Sequence, residues 1–113
     1  MNWHTGAGEK INYDDILAVV REHAEAGGTV HIGTDSFIRK RKKCTFSTVI
    51  ALHNPEEKKG GKYFYCKENV DPRSFTSMMY RITTEVQKSI VLACRLVEDV
   101  PDASIELHMD ISP

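Results

Sequence analysis

The stretch TVHIGTDSF, residues 29–37, decides how this chain folds. Val30, Ile32 and Thr34 point one way and His31, Gly33 and Asp35 the other, the period of two expected of a half-buried strand. Aspartate is depleted in strands, so a carboxylate at the end of this one needs a physical reason.

Working downstream, RKRKK (Arg39 to Lys43) is a run of cations that cannot be buried, and CTFSTVIALH (44–53) behind it is rich in β-branched and aromatic residues. That pattern predicts a hairpin with its turn at 39–43. NPEEKKGGK is a second polar connection and YFYC (63–66) a short third strand, so the first half reads as an antiparallel meander. In VDPRSF, Asp71 suits an N-cap and Pro72 the first helical position, and a long helix is expected from Ser74 to about Val97. Phe75, Met78, Ile82, Val86, Ala93 and Leu96 fall on its apolar face. VPDA breaks it. SIELHMDI (104–111) then alternates, with Ile105, Leu107, Met109 and Ile111 on one side and Glu106, His108 and Asp110 on the other.

Upstream, NYDDILAVVREHAEAGG predicts a helix capped by Asn12, favoured by Asp14 and Asp15 at its positive end and stopped by Gly27 and Gly28. Residues 1–11 show no periodicity and read as a loose lead-in anchored by Trp3. The whole is one α/β domain, 1–113, in which the second helix is the crossover of a right-handed unit and the last strand runs parallel to a meander strand.

Composition narrows the function. The chain has 113 residues, room for one core and therefore one main site. A net charge of -1 gives no global basic field, so nucleic-acid binding would rest on a local cluster. Cys44, Cys66 and Cys94 have no CxxC spacing and fit neither a disulfide framework nor a zinc ribbon, and Cys44 and Cys66 could face each other across strands. No apolar run is long enough to span a bilayer and the N-terminus lacks the apolar centre of a signal peptide, so no membrane partner and a cytoplasmic location are expected.

Three carboxylates stand in unusual places. Asp35 and Asp110 each end a strand, and parallel neighbours would set them about 4.8 Å apart in mutual repulsion unless a cation intervened. Glu85 lies inside the apolar sector of the long helix, where an unpaired charge costs several kcal/mol, roughly. Ser89 widens the same polar notch. Hard oxygen donors of this kind bind Mg²⁺ or Mn²⁺, and two such ions activate water for phosphodiester cleavage. The other reading is that Asp35 and Asp110 cap strand ends near solvent while Glu85 pairs with Arg81 or Lys88 on its own helix.

HIGTDS, YRITTEVQKSIVLACRL and IELHMDIS resemble, in order and spacing, the ribonuclease H-like proteins of the bacterial YkuK-like group, from about Thr29 to the C-terminus. The resemblance implies a ribonuclease H-like mixed sheet, with strands one to three antiparallel and a fourth parallel to and beside the first, joined by the crossover helix and preceded here by an extra helix. It implies that Asp35, Glu85 and Asp110 are the catalytic metal ligands. The superfamily usually continues with further helices, a fifth strand and a fourth ligand, so the C-terminal part of the fold is expected to be missing after DISP. The sheet edge left open predicts pairing with a second copy of the chain.

His31, Ser36 and His108 are expected to flank the ligands as hydrogen-bonding supports, although strand histidines more often pack under a helix. No histidine and acid accompany Ser36 in a nucleophilic arrangement. Arg39, Lys40, Arg41, Lys42 and Lys43 could hold nucleic-acid phosphates, or form a solvated hairpin tip. Tyr63, Phe64 and Tyr65 could stack on bases, with at least one of them in the core. The expected function is a Mg²⁺- or Mn²⁺-dependent nuclease acting on RNA, an RNA–DNA hybrid or DNA, since nothing in the sequence reads a sugar. The alternative is a non-catalytic ribonuclease H-like module that binds nucleic acid or a protein partner, and a weaker third is a metal phosphatase.

Overall fold

A computed structural model describes residues 2–39, 43–54, 61–70 and 78–109. In chain order the elements are β1 (Trp3–Thr5), β2 (Lys10–Ile11), α1 (Tyr13–Glu25), β3 (Thr29–Arg39), β4 (Lys43–His53), β5 (Lys62–Val70), α2 (Met78–Asp99) and β6 (Ser104–His108). They form one mixed sheet in the order β2-β1-β5-β4-β3-β6. No helix among the described residues is long and apolar enough to cross a membrane.

The meander is as expected: β3, β4 and β5 are antiparallel neighbours, and β6 is parallel to β3 with His31 opposite Glu106 and Gly33 opposite His108. α2 is the crossover between β5 and β6. Among the described residues β6 pairs with β3 as far as His108, and β3 itself runs on from Thr34 to Arg39.

α1 begins where Asn12 Oδ1 accepts the Asp15 N–H at 2.8 Å, filling one of the donors a helix start leaves unpaired. It ends at Gly27, whose φ of 81° belongs to the left-handed region that glycine enters without a Cβ penalty. Ile16, Leu17 and Val20 of α1 and Leu92, Ala93 and Leu96 of α2 are buried on the sheet face that carries Val30, Ile32 and Ile50. Phe64 is the core member of its aromatic triplet, and Tyr63 is exposed. The opposite sheet face, with His31, Gly33, Asp35, Ser47, Val49 and Lys67, is covered by no helix among the described residues.

Several expectations are corrected. Residues 1–11 are not a loose lead-in: Trp3–Thr5 pairs with β5, Lys10–Ile11 pairs with β1, and Trp3 is buried at 4% exposure. Two-residue periodicity cannot show in strands this short, and burial of one indole provides the driving force instead. β1 thereby covers the β5 edge, and β2 and β6 are the outer strands. The third strand is longer than YFYC, because its polar continuation to Val70 is held by pairing with β4. Cys66 lies opposite Thr48 and Cys44 opposite Val70, so the two cysteines do not face each other. The Asp71–Pro72 helix entry and the tip residues 40–42 lie outside the described residues, as do the side chains of Arg39 and Lys43 and the strand extension to Ile111.

Candidate functional site

Side-chain alternation along β3 sends consecutive residues to opposite faces, and the site is built on that fact. Ser36 is buried on the helix face, whereas Asp35 is exposed and lines an open groove of about 790 Å³ with Ser47, Lys67 and His108. Asp35, Ser47 and Lys67 are register partners across three strands, which sets a lysine in the same groove as the carboxylate.

Glu85 comes to β3 from the other side. Its half-buried carboxylate accepts the Ser36 hydroxyl at Oε2, 2.7 Å away. The Ser36 backbone N–H donates to Asp35 Oδ1 at 3.0 Å, so one residue holds an oxygen of each acid. Arg81, one turn before Glu85, donates from Nε to Ser36 Oγ at 3.2 Å and from its terminal nitrogen to Ser36 O at 3.0 Å. Thus neither Arg81 nor Lys88 pairs with Glu85: Arg81 serves Ser36, and Lys88 pairs with Glu68. One turn further along α2, buried Ser89 shares a 2.8 Å hydrogen bond with Thr34, whose hydroxyl also donates to Thr48 at 3.3 Å. The notch expected around Glu85 and Ser89 is therefore two hydrogen-bonded groups, Arg81–Ser36–Glu85 and Thr48–Thr34–Ser89, and every buried side-chain nitrogen and oxygen among the described residues is satisfied.

A second, small cleft holds Glu85 with Thr34, Val86, Ser89, His108 and Met109. His108 and Met109 also line the groove that holds Asp35, so the two acid-bearing hollows meet at the end of β6. Asp110 follows Met109 in the chain and lies outside the described residues, as do the tip residues 40–42 and the side chains of Arg39 and Lys43 in the basic run.

One oxygen of each carboxylate, Oδ1 of Asp35 and Oε2 of Glu85, accepts a hydrogen bond from Ser36. Hard carboxylate oxygens suit a hard divalent ion such as Mg²⁺ or Mn²⁺.

His31 and His108 are both on the groove face. Their rings approach to 2.7 Å, Nδ1 to Nε2, and Glu106 Oε2 lies 3.3 Å from the same nitrogen of His31. The sequence paired the histidines with the acids, gave Glu106 no role and offered Arg81 only as an ion-pair partner of Glu85. The signal for Glu106 was present: it shares the β6 face of His108, and parallel pairing with β3 puts it opposite His31. The link from Arg81 to Ser36 gave none, because its partners are a hydroxyl and a backbone carbonyl on a distant strand.

A family model described as Ribonuclease H-like matches residues 12–113. No curated protein and no solved structure matches the chain.

Proposed function

The chain belongs to the ribonuclease H-like family, and from that premise we propose that it is a divalent-metal-dependent nuclease whose Asp35, Glu85 and Asp110 would hold Mg²⁺ or Mn²⁺. The observation that carries the reading is the meeting of the Asp35 groove and the Glu85 cleft at Met109, the residue before Asp110. Acids on opposite faces of β3 thus look toward one seam.

When bound, such an ion supplies Lewis acidity for phosphodiester hydrolysis. The chain's own residues supply orientation. Ser36 fixes one oxygen of Asp35 and one of Glu85, and Arg81 holds Ser36 in place through two bonds. Lys67, in the Asp35 groove, offers a cation to a substrate phosphate, and Arg39 to Lys43 at the far end of β3 would extend that contact along a nucleic-acid backbone.

Incubation of the chain with Mn²⁺ and a panel of RNA, RNA–DNA hybrid and DNA tests this. Cleavage is expected in the wild type and lost in Asp35→Asn and in Glu85→Gln, with the fold intact by circular dichroism. Equal cleavage by Asp35→Asn sinks the assignment.

One observation favours a second reading, a non-catalytic module that binds nucleic acid or a protein partner. The Arg81 guanidinium already sits in the hydrogen-bond network of Glu85 and supplies positive charge where an ion would otherwise be needed. Retention of RNA or DNA without cleavage in any metal would support it.

A further inference from the structure

The sheet face that no described helix covers carries a second constellation. His31 Nδ1, Glu106 Oε2 and His108 Nε2 lie within 4.8 Å of one another, with separations of 2.7 Å between the two nitrogens and 3.3 and 3.9 Å from the carboxylate oxygen to His31 and His108. We propose that these three side chains bind a borderline first-row divalent cation of the Zn²⁺ type, separately from the hard-ion site at the carboxylates.

The spacing fits. Tetrahedral bonds of about 2.0–2.1 Å set neighbouring ligand atoms about 3.3 Å apart, in the middle of the three observed separations. The donor set fits as well: two imidazoles and one carboxylate favour zinc, copper or nickel over magnesium, and a His₂Glu set leaves a coordination position for water or a substrate atom.

The chain positions the ligands with a rigid frame. Parallel pairing sets His31 opposite Glu106 and Gly33 opposite His108, so two adjacent strands deliver all three donors to one spot without a loop. Two imidazole nitrogens 2.7 Å apart cannot both turn lone pairs toward each other, so either a proton lies between them or a metal ion to one side accepts both. The Glu106 carboxylate beside them adds the negative charge that favours a cation. The His31 side chain is 24% exposed and those of Glu106 and His108 about 60%, so an ion can enter from solvent while one ligand is held firmly. Asp35 is four residues along β3 from His31, about 13 Å at the rise of a strand, and is not among the donors that converge here.

The test is competition for Zn²⁺ between the full chain and a chromophoric chelator sensitive to micromolar affinity. The wild type is expected to take one Zn²⁺ at this site and, loaded with Co²⁺ instead, to show the visible absorption of a four- or five-coordinate ion. His31→Gln and His108→Gln should each weaken Zn²⁺ binding at least about tenfold, and the double substitution should abolish both signals. Glu106→Gln, at an exposed position that cannot unsettle the fold, provides a further variant with weakened binding. Asp35→Asn should leave the Zn²⁺ affinity unchanged. Failure of the wild type to compete, wild-type affinity in a folded double variant or in Glu106→Gln, or loss of binding in Asp35→Asn would each overturn the proposal.

Discussion

Ser36 and Glu85 are joined by a 2.7 Å hydrogen bond between a strand hydroxyl and a helix carboxylate. The same serine's N–H reaches back to Asp35, so the helix acid and the strand acid are coupled through one residue. In the sequence Ser36 is only the polar neighbour of a conspicuous aspartate; in the fold it is one of the points, with Thr34, where α2 is fastened to β3.

Replacing Ser36 by alanine removes a hydrogen bond to a half-buried carboxylate and leaves Arg81 with only the backbone carbonyl. A loss of about 1–3 kcal/mol is expected, read as a lower urea midpoint at unchanged slope. Ser36→Thr, which keeps the hydroxyl, should recover part of it. An unchanged midpoint in Ser36→Ala would mean that water substitutes for the hydroxyl.

Trp3→Ala should lower stability by about 3–5 kcal/mol, because the indole is buried in the core and its strand closes the β5 edge. A lead-in without structure would lose almost nothing. Chemical denaturation of the variant separates the two.

Neighbouring positions on α2 should behave oppositely. Leu96 is fully buried and Val97 is 51% exposed. Leu96→Ala is expected to cost about 2–5 kcal/mol and Val97→Ala to stay within about 0.5 kcal/mol, and paired thermal melts measure the contrast.

Tyr13 should titrate late. Burial is the main cause that pushes its phenol up to about 12; Asp99, which accepts the phenol's hydrogen bond at 3.3 Å, raises it further, and Arg95 opposes the shift. Arg95 stacks on the ring at 3.8 Å. A proton held more tightly in the folded state makes this contribution to stability complete below about pH 10, the unfolded value. It is lost as pH rises toward about 12. Ultraviolet titration of tyrosinate should show a late phase that is absent from Tyr13→Phe, and that variant should lose less stability across the same window.

The strand and helix order from Asn12 to His108 was legible because its signals are local. The period of two in TVHIGTDSF, the cation run that demands a turn, the Asn12 cap and the glycines after α1 each act within a few residues. Ser89 and Glu85 were likewise visible as polar residues in an apolar helical sector. Their partners were not, because Thr34 and Ser36 meet α2 only once β3 has been laid beneath it. β1 was hidden for a related reason: three residues carry no period, and Trp3 is core only because β5 offers it an edge. The sequence alone determined which acids, histidines and hydroxyls the chain possesses and on which side of each strand they stand. Only the tertiary structure decided that Asp35 and Glu85 approach β3 from opposite faces and that His31, Glu106 and His108 converge. Both outcomes depend on the register between strands distant in the chain, which packing sets and local pattern does not.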